Sequence, residues 1–309
     1  EMNYDVLFTP FKIGRMEVKN RIVMSPMGTL MANRDGTFSE NEIAYYEERA
    51  RGGTGMIICG QGYLNSDFGQ GVLGHAWDHY HVVPAARGLT ERLHGYGCKA
   101  VMQLSCGTGR NANEIHGKLP ISSSENTWVW DPKVKCHALT IEEIAEMMKL
   151  WEYSAGLVRD AGFDAIEVHG DRLVGSLCSA ILNKRTDEYG GSFENRVCYA
   201  LEVVAAIKEA APELMVEYKL PVIMENPDGT PRGKGGLLPD EACKFAKLLE
   251  GAGIDMIQVA QANHTGNMGD TIPPMGAMPY NWTLPVAERV KALVSVPVAT
   301  VGRVVSVEA

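Results

Sequence analysis

Seven short stretches of this chain gather residues that could do chemistry, and each follows a β-branched or apolar run. They are Ser25-Pro26-Met27-Gly28-Thr29, Gly60-Gln61-Gly62, Gln103 with Ser105-Cys106, His169-Gly170-Asp171-Arg172, Lys219, Gln258 with Gln261 and Asn263-His264, and Gly302-Arg303. The set is poor in paired carboxylates and has no Ser/His/Asp order, so it offers little to hydrolytic chemistry. It is rich in amide, imidazole and cationic groups. Such groups suit a flat heterocycle with hydrogen-bonding edges and a phosphate tail. A Gly-Arg pair late in the chain is a plausible phosphate seat, where backbone N–H groups and a guanidinium converge.

These stretches become one site only if the elements before them are parallel strands ending on the same side. The apolar runs fall at 21–25, 55–60, 99–105, 164–169, 214–220, 255–260 and 296–301, and helix-like segments near 39–51, 82–96, 140–161, 193–211, 239–252 and 283–293 separate them. Ser39-x-x-Glu42 and Thr140-x-x-Glu143 read as capping boxes at two helix starts. The strand runs are apolar almost throughout rather than alternating, as a parallel sheet buried on both faces requires. Alternating β and α leaves a doubly wound sheet or a (β/α)8 TIM barrel. A dinucleotide fold would open on G-x-G-x-x-G. The first turn here begins Ser25-Pro26-Met27-Gly28 instead, which favours the barrel. A hairpin at 11–18 is predicted to close the barrel bottom. The α/β barrel is expected to occupy 1–309 as one domain with strands 1 to 7, the eighth strand lying in a longer natural chain.

Composition narrows the rest. The chain has 309 residues, 45% hydrophobic and 22% charged, with a net charge of −9. It has no basic tract, so neither nucleic acid nor an anionic membrane is an expected partner. No apolar run reaches the ~20 residues of a spanning helix. Seven scattered cysteines with no C-x-x-C pair suit reduced thiols in a cytoplasmic protein and give no metal site in this stretch.

Four separated motifs carry a resemblance along nearly the whole chain. Phe8-Thr9-Pro10-Phe11-Lys12-Ile13-Gly14 with Lys19-Asn20-Arg21-Ile22-Val23-Met24-Ser25-Pro26-Met27, Tyr45-Tyr46-Glu47 through Gly52-Gly53-Thr54-Gly55, and Gln103-Leu104 with Gly109-Arg110 are three of them. The fourth, Arg185-Thr186-Asp187-Glu188-Tyr189-Gly190-Gly191-Ser192-Phe193-Glu194-Asn195-Arg196, is the most specific. Together they resemble the Old Yellow Enzyme family of FMN-dependent ene-reductases, in texture its 2-enoate and dienoyl-CoA reductase branch. The resemblance implies FMN, with NAD(P)H as electron source, and a C-terminal continuation that carries a 4Fe-4S cluster and FAD. It places Pro26, Met27 and Thr29 in the loop under the isoalloxazine ring, and Gln61 and Gln103 on its edge. Lys219 stands where the family has a cation near the flavin N1–C2 carbonyl, and Gly302 and Arg303 at the phosphate. His169 takes the position of the first residue gripping the substrate carbonyl, and Asn263 and His264 are candidate substrate contacts.

The departures matter as much. Where the family commonly has H-x-x-H/N-x-Y, this chain has His169-Gly170-Asp171-Arg172-Leu173 and no tyrosine. That quartet resembles the bilirubin-reducing sub-branch, which acts on methine bridges toward urobilinogen. Asp171 is then either proton donor or the residue that orients Arg172, and Arg172 a partner for a propionate. Reduction of a 2-enoate, a dienoyl-CoA or a 3-oxo-Δ4 steroid is the same-class alternative. A flavoprotein demethylase-like barrel or a non-redox phosphate-binding barrel is the alternative from another class. Arg185, Asp187 and Arg196 read as an ion-paired scaffold, Trp128 and Trp130 as packing or a lid, and Cys106 as a buried neutral thiol.

Overall fold

The computed structural model describes residues 4–65, 74–112, 118–262 and 278–305. Its core is a curled sheet of parallel strands wrapped by helices. In chain order the strands are β1 (Phe11–Ile13), β2 (Met16–Val18), β3 (Val23–Met24), β4 (Met56–Tyr63), β5 (His75–Ala76), β6 (Lys99–Ser105), β7 (Ile121–Ser122), β8 (His137–Ala138), β9 (Ala165–His169), β10 (Met215–Val222), β11 (Met256–Gln261) and β12 (Val298–Thr300). The main sheet runs β12-β11-β10-β9-β6-β4-β3, all neighbours parallel, with β5 added beside β4. This is the barrel sheet predicted from the apolar runs.

The helices are α1 (Glu40–Arg51), α2 (Val83–Gly95), α3 (Ile141–Asp160), α4 (Arg172–Cys178), α5 (Phe193–Ala210), α6 (Pro239–Gly251) and α7 (Leu284–Lys291). Proline at the first turn of α2, α6 and α7 starts a helix where a missing N–H costs nothing. Thr140 and Glu143 form the expected reciprocal box at α3. The box expected at α1 is only half made. Ser39 accepts from Glu42 N, but the Glu42 carboxylate turns away to accept from Thr29 Oγ1 at 2.6 Å. The tertiary partner outcompetes the local one. No helix among the described residues is long and apolar enough to cross a membrane.

Side chains inside the curl lie in layers. At the bottom, the β1–β2 hairpin inserts Ile13, Met16 and Val18 among Met56, Ile58, Val101, Ala165, Met215 and Met256. Val23 and Ala299, from the strands at the two ends of the sheet, pack against this same plug, which is how the curl shows itself in contacts. Two residues up each strand the lining turns polar. Gln103, Glu167 and Glu217 are neighbours across β6, β9 and β10. Above them His169, Lys219 and Gln258 sit side by side on β9, β10 and β11. The outer faces of the same strands bury the apolar core under the helices.

Candidate active site

Strand ends position the site, beginning with β3. Residues 26–30 leave it past Gly60, whose backbone bridges Gly28. A Cβ on Gly60 would stand 2.6 Å from the Pro26 Cβ, so the close approach depends on glycine. Met27 and Leu30 are left 52% and 62% exposed, an unusual display of apolar surface beside buried polar groups.

A cavity of about 200 Å³ opens there, lined by Gly28, Thr29, Leu30, Glu42, Gly60, Gln61, Tyr63, Gly74, His75, Thr108, Asn111 and Arg172. Several of these present polar atoms inward. Gln61 Nε2, Thr108 Oγ1 and Arg172 Nε are all buried and make no hydrogen bond among the described residues. Buried polar atoms in folded proteins are nearly always satisfied by protein, water or ligand, so a cluster of such atoms at one cavity makes it the candidate ligand site.

Arg172 is the most distinctive of them. It is the first residue of α4, yet its backbone is left-handed, with φ +57°. A bulky L-residue is rarely found there, and such strain gathers at functional positions. Asp171 is buried and caps α4, its carboxylate accepting from Arg172 N at 2.8 Å. Burial works against the Arg172 charge and lowers its pKa, while Tyr63 and then Asp171 counter it. Burial raises the Tyr63 phenol, and Arg172 partly offsets that. Gly170 allows the whole turn: a Cβ there would run into the Lys219 carbonyl oxygen and the Tyr218 ring.

The polar layer lies below. Gln103 donates to Glu167 Oε1 at 2.6 Å. Glu167 and Glu217 are both fully enclosed, and burial raises both carboxyls. Glu217 is pushed well up, next by the neighbouring Glu167 charge, and Lys219 draws both back down. His169, buried at the end of β9, and half-buried Lys219 form the lid of this layer, and Gln258 Oε1 is enclosed there without a partner among the described residues.

Of the residues singled out from sequence, Thr29, Gln61 and Arg172 thus meet at one cavity, with Pro26 and Met27 on the same loop and Asp171 behind Arg172. Gln103, His169 and Lys219 converge on the adjoining barrel interior. Gly302 and Arg303 lie at the far end of the sheet, the Arg303 guanidinium held by the Met278 carbonyl and 4.6 Å from the Tyr280 ring centroid. Asn263 and His264 lie outside the described residues. The signature segment is scaffold. Arg185 grips Asp187 with two hydrogen bonds (3.0 and 2.6 Å), and Arg196 pairs with Glu241 at 2.7 Å. Trp128 donates to Ala112 O, a packing role, while Trp130 is exposed. Cys106 is buried, its thiol pushed up to about 12.

Sequence reasoning missed Glu42, His75, Tyr63, Thr108 and Asn111. Glu42 read as a helix cap, and His75 follows a stretch with no periodic pattern. Their pairing joins residues 33 apart, which no local signal reveals.

Comparison with known proteins bears on the whole assembly. Residues 6–309 match the model of the NADH:flavin oxidoreductase / NADH oxidase family. A bilirubin reductase of Mediterraneibacter gnavus is 41% identical over 98% of this chain and 46% of its own length. A cinnamate reductase of Clostridium sporogenes is 35% identical over 97% of this chain and 47% of its own. Among solved structures, a 2-naphthoyl-CoA reductase complex superposes with a TM-score of 0.86 at 24% identity, covering 99% of this chain and 48% of that one, a likeness of fold. The chain spans about half the length of these relatives. With the match running from residue 6 to the last residue, the chain belongs to the NADH:flavin oxidoreductase / NADH oxidase family.

Proposed function

We propose that this chain is the flavin-binding barrel of an ene-reductase whose substrate is bilirubin, reduced at its methine bridges. FMN fits the residues present. An apolar mouth at Met27 and Leu30 suits a planar ring, and the unpartnered Gln61 amide and Gln258 carbonyl suit its hydrogen-bonding edges. Pro26, Met27, Thr29, Gln61, Gln103 and Lys219 would hold that ring, with Gly302 and Arg303 toward the phosphate. When bound and reduced by NAD(P)H, the flavin supplies a hydride to an activated C=C bond.

The chain's own residues would do the rest. Arg172 carries the substrate reading: a half-buried guanidinium with its Nε enclosed, fixed at a strained turn and lining the cavity, is suited to take a carboxylate bidentately. Bilirubin brings two propionates. Asp171 is committed to the α4 cap, which favours orienting Arg172 over donating a proton. His169 at the strand end would polarise the electron-withdrawing carbonyl, so that charge developing during transfer meets a donor. Lys219 would favour negative charge on the flavin. Asn263 and His264 remain proposed substrate contacts.

The relatives support the class of reaction and leave the substrate to experiment. Anaerobic turnover by the full-length, flavin-loaded protein should rank bilirubin above cinnamate, an enoyl-CoA and a 3-oxo-Δ4 steroid. Arg172→Ala should lose bilirubin turnover by 10²-fold or more while retaining flavin. Protein that purifies without flavin absorbance, or an alanine variant near wild-type rate, would overturn the reading.

A further inference from the structure

Asp171 Oδ1 is taken up as a helix cap, and the cavity wall carries another candidate acid for the proposed reduction. Glu42 and His75 both line the cavity and are 0% and 2% exposed. His75 Nε2 lies 3.2 Å from both carboxylate oxygens of Glu42, and its Nδ1 lies 3.2 Å from the Gly36 carbonyl oxygen. Phe38 stacks on the imidazole at 3.7 Å between centroids, 16° from parallel. Thr29, from the loop assigned to the flavin, donates to Glu42 Oε1 at 2.6 Å. The other carboxylate oxygen, Oε2, is also buried, and the imidazole straddles the carboxylate.

Two features separate this pair from an ordinary buried ion pair. First, both imidazole nitrogens face oxygens. With the ring carrying a proton on each nitrogen, one would serve Gly36 and the other would lie between Nε2 and the carboxylate. In that state the pair holds one transferable proton. Second, Glu42 stands at a helix position where its carboxylate would ordinarily return to the Ser39 backbone, and it forgoes that bond to reach the cavity. The other titratable side chains on the described wall are poorer acids. Arg172 does not give up its proton readily, and Tyr63 is a phenol.

Resting on the ene-reductase reading, we propose that the Glu42–His75 pair, which lines the cavity, is the proton donor of the reaction, with Thr29 fixing the orientation of the Glu42 carboxylate. The alkene gains a hydride on one carbon, supplied by the reduced flavin at the expense of NAD(P)H. It gains the stored proton on the other. The pair, one proton short, takes a proton from water before the next turnover, so electrons and protons balance with no further reactant.

The test separates the half-reactions in full-length, flavin-loaded Glu42→Gln. Flavin content, reduction by NAD(P)H and reoxidation by ferricyanide, which needs no carbon protonated, should stay near wild type. Reoxidation by bilirubin or another activated alkene should fall about 100-fold, within the range general acids contribute. Run in D2O with a trisubstituted alkene, the wild type should deliver deuterium to one face and the variant should lose that preference. If Glu42→Gln fails to load flavin, His75→Asn is read in the same way. Alkene reoxidation within threefold of wild type, unchanged face selectivity, or equal slowing with ferricyanide would overturn the proposal, the last assigning the pair to seating the flavin. A wild type reoxidised by ferricyanide but by no alkene would overturn the ene-reductase reading and this one with it.

Discussion

Exchanging Arg172 for glycine should make the protein more stable than exchanging it for alanine. At a helical position the order is the reverse, with glycine worse than alanine by about 1 kcal/mol. Here the backbone is left-handed at φ +57°, where a Cβ crowds the following carbonyl oxygen at a cost of roughly 1–2 kcal/mol and glycine escapes the cost. Both variants lose the guanidinium and its burial, so their difference isolates the backbone. Taking the lower bound, glycine should lead by about 1 kcal/mol, roughly a fivefold difference in the folded-to-unfolded ratio. Urea unfolding of both variants at one pH, with equal slopes against denaturant, measures it. An alanine variant as stable as the glycine variant would mean that residue 172 relaxes into an ordinary helical turn. The case for a strained, functionally placed arginine would then fail.

The buried carboxyl pair makes a pH-dependent prediction. Burial first, then the Glu167 charge, raises the Glu217 carboxyl above its ordinary 4.5. A raised carboxyl favours the folded state below the unfolded value and loses that contribution as pH climbs through the folded one. Glu217→Gln removes the loss, so its stability advantage over wild type should be greater at pH 8 than at pH 5. A constant difference between urea midpoints at the two pH values would count against the shared burial. Gly170→Ala should cost about 1–3 kcal/mol, because its Cβ meets the Lys219 carbonyl and the Tyr218 ring across β10. A change below 0.5 kcal/mol in the same unfolding assay would show that β9 and β10 separate easily.

Most of the frame was readable from the order of residues. All seven barrel strands lie within the apolar runs or within three residues of them, because a strand buried on both faces has no polar alternation to blur its limits. Helix starts at Thr140 and Pro239 were equally plain, being set by local bonds. What stayed hidden depends on partners distant in sequence. Helix α4 is seven residues long and opens on a left-handed arginine, so no periodic pattern announces it. Glu42 obeyed the local capping rule in sequence and broke it in space. The polar layer in the barrel was hidden for a related reason. Glu167 and Glu217 look like lone acids until the parallel register of β9 and β10 sets them side by side.

The same register of local and distant bonds explains how one segment, 167–196, holds both scaffold and chemistry. A helix of seven residues cannot hold itself together in water, so α4 must be fixed from outside. At its exit, the Leu177 carbonyl accepts from Asn183 Nδ2 at 2.6 Å, and the Cys178 carbonyl accepts from Arg196 Nη1. Asn183 also donates to Tyr189 O at 2.7 Å, and Arg185 ties the loop to Ser123 O, so the clamp is itself braced. At its entrance, Asp171 caps and Gly170 lets β9 close against β10. With both ends over-determined, the strained backbone at Arg172 has nowhere to relax, and its side chain is delivered to the cavity in one place. The clamp residues Asn183, Arg185 and Arg196 are not among those lining the cavity, so the frame that aims residues 169–172 is separate from the residues it aims.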